Sequence, residues 1–113
     1  MITVVMALDE QGLLQSCDVQ GHAGAGKRGN DIVCAAVSVL VRTAQSTLTG
    51  KKGITAKSKA ERRGVFTLKV AAENGAAQDF LAGISAFLVD GLLSVAMEYP
   101  NNCVVTITKE RRK

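Results

Sequence analysis

The sequence predicts an α+β fold of order ββ-α-ββ-α-β, a sandwich with two helices packed on one face of a mostly antiparallel sheet. Three observations carry that expectation. Strand-like segments come in two pairs bounded by turn residues, with a fifth near the end of the chain. Two long apolar segments at helical spacing separate them. No linker or low-complexity segment interrupts the pattern, so one domain over residues 1–113 is expected.

Taken in order, Ile2–Leu8 is β-rich, and Asp9 and Glu10 stop its apolar run. Gln11-Gly12 is a turn, and Leu13–Gln20 alternates loosely, with Leu13, Cys17 and Val19 on one face and Ser16, Asp18 and Gln20 on the other. Gly21–Gly29 holds four glycines besides the sole histidine, His22, and reads as a loop. Asn30 or Asp31 then offers an N-cap for a helix from Ile32 to about Leu48, with Gly50 and Gly53 beyond its end. Ile54–Lys59 and Val65–Ala72 form a second strand pair around a charged segment. Gln78 to about Glu98 is a second helix, with Phe80, Ile84, Phe87, Leu88, Leu92 and Val95 at helical spacing, and Pro100 closes it. Asn102–Lys109 is the last strand.

Both helices are poor in charge. The first carries only Arg42 and the second Asp79, Asp90 and Glu98, so apolar surface remains after one face is spent on the sheet, and a homodimer is expected. Overall, 47% of the 113 residues are hydrophobic, which excludes a disordered chain. Only 4% are aromatic, with no Trp, which argues against a stacking platform for single-stranded nucleic acid. The formal charge of +4 gathers partly in Lys57–Arg63 and in the tail Lys109–Lys113; it is either solvated charge or an attraction for an anionic partner such as the ribosome.

Cys17, Cys34 and Cys103 are odd in number, widely spaced and without a C-x-x-C, so neither a disulfide framework nor a zinc site can be read from them. The apolar start has no basic leader and is too short for a signal peptide, and the runs Ile32–Val41 and Leu92–Met97 are too short to span a bilayer. A cytoplasmic setting, where free thiols are ordinary, is the expectation.

The glycine loop admits three readings. Gly24-Ala25-Gly26-Lys27-Arg28-Gly29 matches G-x-G-x-x-G, but after Asp31 the next acid is Glu61, too far on for the ribose contact, and the strands that follow look antiparallel. Gly21 to Lys27 fits G-x-x-x-x-G-K, but Arg28 stands where the magnesium-binding hydroxyl belongs. In the third, Cys34 opens the helix beyond the loop, as the fourth helical residue if Asn30 is the cap. There the positive end of the helix favours the thiolate. His22, twelve residues earlier, is a base that a folded-back loop can bring to the thiol. Asp31 either orients His22 or caps the helix. Ser38, one turn beyond Cys34, either reaches the site or bonds to a backbone carbonyl. Cys17 and Cys103 fall within strands and read as buried filler.

Gly21-His22-Ala23-Gly24, followed by Gly29-Asn30-Asp31-Ile32-Val33-Cys34-Ala35-Ala36-Val37-Ser38, resembles the signature of the ribosomal-processing cysteine protease family Prp, and the likeness extends over essentially the whole chain. The resemblance implies an endopeptidase that removes an N-terminal extension from the twenty-seventh large-subunit ribosomal protein, using a Cys-His dyad and neither metal nor cofactor. By position it makes Cys34 the nucleophile and His22 the base, with Asp31 and Ser38 in support and Gly21, Ala23, Gly24 and Gly29 in a substrate-binding loop. Its expected partners are the ribosomal protein precursor and a second copy of the chain, with no direct nucleic acid and no membrane required. The loop departs from the pattern: Ala25, Gly26, Lys27 and Arg28 stand where members often carry aromatic or acidic residues. A non-enzymatic module that docks on the ribosome through basic segments is the competing class.

Overall fold

The structure is a computed structural model that describes residues 1–21, 31–62 and 64–111. Its elements are β1 (Ile2–Leu8), β2 (Leu14–Gly21), α1 (Ile32–Leu48), β3 (Ile54–Lys59), β4 (Val65–Ala72), α2 (Ala76–Glu98) and β5 (Cys103–Lys109). The strands form one sheet in the order β3-β4-β2-β1-β5. Every neighbouring pair is antiparallel except β1 and β5. Each helix is therefore a crossover between strands that run the same way: α1 takes the chain from β2 past β4 to β3, and α2 takes it from β4 past β2 and β1 to β5. The α+β sandwich that the sequence predicts is the observed fold.

Alternation builds the inner face of the sheet. Ile2, Val4, Met6 and Leu8 of β1 are buried and pair across with Cys103, Val105 and Ile107 of β5 and with Val19 and Cys17 of β2. Leu68 and Val70 of β4 continue the layer. Onto it α1 lays Val33, Val37, Val41, Ala44 and Leu48, a stripe at helical spacing. The helix α2 adds Leu81, Leu88 and Leu92, each worth roughly 1.5–3 kcal/mol when fully buried. The two helices touch closely at Gly91, where a Cβ would stand 3.0 Å from Leu40 Cδ2. Lys51, just after α1, sets its Nζ 4.7 Å from the centre of the Phe80 ring on α2.

The first hairpin turns on Asp9. Its Oδ1 accepts the N–H groups of Gln11 and Leu13, both at 2.9 Å, so a carboxylate only 2% exposed is held by backbone donors. Beyond the turn the reading of β2 needs a correction. Leu8 pairs with Leu14 while Ala7 pairs with Ser16, so Gln15 is an extra residue in the ladder. The bulge brings Leu14, rather than Leu13, into register on the inner face, and Leu13 is buried in the turn instead. The Leu14 N–H donates at 2.9 Å to the hydroxyl of Ser85, a buried polar residue of α2.

A second correction concerns hydropathy. The two short apolar runs understate α2, a helix of 23 residues that reaches a mean hydropathy of 2.0 over an 18-residue window and is long and apolar enough, by length and composition, to cross a membrane. Here it covers the sheet with one side and leaves Phe87, Leu93 and Met97 exposed on another.

Candidate active site

Among the described residues, the candidates fall at the end of β2, with Gly21, and in the first turns of α1, with Asp31, Cys34 and Ser38. Asp31 is the N-cap of α1, and its Oδ1 accepts the backbone N–H of Cys34 at 3.0 Å. Asp31 was one of two cap candidates, and its carboxylate satisfies one of the four N–H groups that a helix start leaves without an intrahelical acceptor. This makes Cys34 the third helical residue, one position earlier than a cap at Asn30 would.

Helical rotation fixes what Cys34 can face. Val33 and Val37 point into the core, Ile32 and Ala35 face outward, and Cys34 between them is half-buried. Its side chain lies against the edge of the core while remaining reachable from solvent. Ser38, four residues on, shares that side of the helix and is exposed.

The other two thiols contrast with it. Cys17 is fully buried in β2, and burial, reinforced by the charge of Asp18, pushes its thiol up to about 12 from an ordinary 9.0. Cys103, also buried, is raised by the same loss of solvation. Both are held as protonated, inert groups.

Gly21 differs from its expected place in a loop. It is the last residue of β2 and pairs with Ile2. Its N–H donates to the Gly64 carbonyl at 2.8 Å, which joins the end of β2 to the start of β4. Its φ is +96°, and a Cβ there would run into the Met1 carbonyl oxygen, so the backbone itself demands glycine. His22, Ala23, Gly24 and Gly29 lie outside the described residues. Ser85 is the polar side chain that sequence reasoning passed over; its only signal was a hydroxyl in the middle of an apolar helix.

Comparison with known proteins gives this end of the molecule its context. The family model described as cysteine protease Prp matches residues 1–104. The chain belongs to that family. A solved structure of an essential ribosomal processing protease Prp from S. aureus, in complex with a covalently linked product peptide, superposes with a TM-score of 0.81 at 23% identity, covering 96% of this chain and 100% of that one. The S. aureus protease in complex with a substrate peptide gives 0.76 at 22% identity, with the same coverage of both chains. SMU.848 from Streptococcus mutans gives 0.78 at 26% identity over 97% of this chain and 96% of that one. Among curated protein sequences, none matches. The family is one of ribosomal-processing cysteine proteases, and at these identities the S. aureus structures bear on the fold.

Proposed function

We propose that this chain is a cysteine endopeptidase that removes the N-terminal extension of a large-subunit ribosomal protein, the twenty-seventh, during ribosome maturation in the cytoplasm. Cys34 is the nucleophile and His22 the general base. The observation that carries the reading is the contrast among the thiols: Cys34 is half-exposed in the first turn of a helix, while Cys17 and Cys103 are buried and kept protonated. Family membership supports the reaction class. The peptide complexes of the S. aureus protease support a peptide as substrate.

In the proposed mechanism His22 takes the Cys34 proton, and the thiolate Sγ attacks the scissile carbonyl carbon. The imidazolium then protonates the leaving amine, and water hydrolyses the acyl-enzyme. First-turn N–H groups stabilise the oxyanion. The Cys34 N–H is already given to Asp31, so the other donors with no intrahelical acceptor are those of Asp31, Ile32 and Val33. Asp31 thus supports the site by fixing the helix start. Ser38 lines the side of α1 that carries the nucleophile, and Gly21, Ala23, Gly24 and Gly29 bracket the peptide. No metal or cofactor is needed, because a thiolate is a sufficient nucleophile.

The working species is proposed to be a homodimer joined through the helix layer. Val39, Phe87, Leu93 and Met97 are exposed there, Met97 at 84%. An apolar groove of about 270 Å³ runs between Val39, Leu40 and Thr47 of α1 and Ile84 and Phe87 of α2. Sedimentation that finds a monomer at micromolar concentration overturns this part.

The test of the activity is a mass measurement on the precursor of the ribosomal protein after incubation with the protein, with and without a thiol alkylator. Cleavage that alkylation blocks is the expected result. Binding without cleavage favours the non-enzymatic module instead.

A further inference from the structure

The positive charge of this protein is concentrated in one hairpin and the turn that leads into it. Residues 51–72 hold seven of the fourteen Lys and Arg and one of the ten Asp and Glu, a net +6, whereas the rest of the chain nets −2. The register shows where that charge points. Lys57 of β3 stands directly opposite Lys69 of β4, and both are exposed. Lys59 follows on the same face, opposite Thr67. All three lie on the outer face of the sheet, away from both helices, since the intervening Ala56 and Ser58 pair with Val70 and Leu68 of the core layer. Like charges directly opposite each other destabilise a sheet. Among the described residues the one ion pair is an exposed contact between Lys59 and Glu61 at 3.5 Å, which leaves Lys57 and Lys69 facing each other without an acid between them.

The neighbours of these lysines narrow the partner. None of the exposed large hydrophobic residues lies in β3 or β4. A protein partner would want aromatic or apolar anchors, and a membrane surface would want side chains to insert. The only aromatic residue of the hairpin, Phe66, is half-buried on the inner face, so single-stranded bases have nothing to stack on. What remains is ammonium groups among hydroxyls, those of Thr55 and Thr67 on the hairpin and Ser16 opposite Lys69, with one carboxylate at the margin, that of Asp18 on β2 opposite Thr67. That chemistry suits a lattice of phosphates and 2′-hydroxyls read by shape.

We propose that the outer face of the β3–β4 hairpin, through Lys57, Lys59 and Lys69, docks on the backbone of double-helical RNA. The surface does not depend on the protease reading. It ends beside the candidate site, because the Gly64 carbonyl at the head of β4 accepts the N–H of Gly21 at the end of β2. If both hold, docking brings the site to RNA-bound substrates.

Fluorescence anisotropy with a labelled RNA duplex, across a salt series, tests this on the full chain. The expected result is binding whose logarithm falls linearly with the logarithm of salt. The triple variant Lys57→Gln, Lys59→Gln, Lys69→Gln should bind at least about tenfold more weakly at low salt, with a slope shallower by about 2–3, while Lys109→Gln at the opposite edge changes the slope by no more than about 1. A DNA duplex of the same sequence and vesicles of phosphatidylcholine with phosphatidylglycerol are the competing ligands. Tighter binding to either of them than to RNA overturns the proposal, as does an unchanged slope in the triple variant. Thermal melting guards against misfolding: relieving the Lys57–Lys69 repulsion should leave the melting temperature equal or higher.

Discussion

The sheet interior and the first turn of α1 each hold cysteine, and each uses a polar side chain to catch a stray backbone N–H, with opposite consequences. In the interior, Cys17 and Cys103 lose solvent and are locked as thiols, and the Ser85 hydroxyl receives the Leu14 N–H that the bulge releases from the ladder. At the helix start, Cys34 keeps contact with solvent, and Asp31 receives its N–H in a part-buried bond. The same residue type is filler in one place and a candidate nucleophile in the other. Burial decides it, because a thiolate is tolerated only where its charge can be solvated or paired.

The sharpest way to break this contrast is to swap the thiols for methyl groups one at a time. Cys34→Ala should lower the cleavage rate by on the order of 10⁴ or more while the chain still folds, whereas Cys17→Ala and Cys103→Ala should leave the rate within a few-fold, read by mass analysis of the cleaved precursor. Full activity in Cys34→Ala would remove the nucleophile assignment. Iodoacetamide applied to the native protein should add one label, on Cys34.

Alkaline titration probes the interior from the other side. In the unfolded chain the Cys17 thiol ionises near its ordinary 9.0, while in the native chain it holds its proton to about 12. Above pH 9 the unfolded state therefore binds fewer protons than the native one, and stability must fall as pH rises. The contribution is complete below pH 9 and is lost towards pH 12, at about 1.4 kcal/mol per pH unit. Denaturant midpoints measured from pH 8 to pH 11 should show the slope, and Cys17→Ala should flatten it.

The two captured N–H groups differ less, and for the same reason. Ser85→Ala strands the Leu14 N–H inside the core and should cost roughly 1–3 kcal/mol in denaturant unfolding. Asp31→Ala exposes the Cys34 N–H at a helix end that water can reach and should cost about 1 kcal/mol. Asp31→Asn keeps a capping oxygen and should restore both stability and cleavage if the cap is what Asp31 supplies. Restored stability without restored cleavage would assign it to orienting His22 instead.

The elements were legible because their signals are local. Alternation wrote the strands, and β3 and β4 fall at their expected bounds, as does α1. The apolar stripe of α1 and the cap pair Asn30 and Asp31 narrowed its cap to two residues, and the backbone then took Asp31. What was not legible depends on residues far apart in the chain. The bulge at Gln15 is stabilised by Ser85, 71 residues beyond Leu14. Gly21 is required by the Met1 carbonyl that pairing with β1 brings against it. The facing of Lys57 and Lys69 appears only once the register of the second hairpin is set.

By itself the sequence determined the order of the elements and most of their bounds, though α2 starts two residues before the expected Gln78; it also determined the concentration of positive charge between residues 51 and 72, and a His–glycine-loop–Cys constellation at the head of a helix. These rest on periodicity, capping and composition, which act over a few residues. Only the tertiary structure decided which thiols are sealed and which one meets solvent, which apolar surface stays uncovered on the helix layer, and which lysines confront each other across the open face of the sheet. Exposure and cross-strand register follow from how distant segments pack.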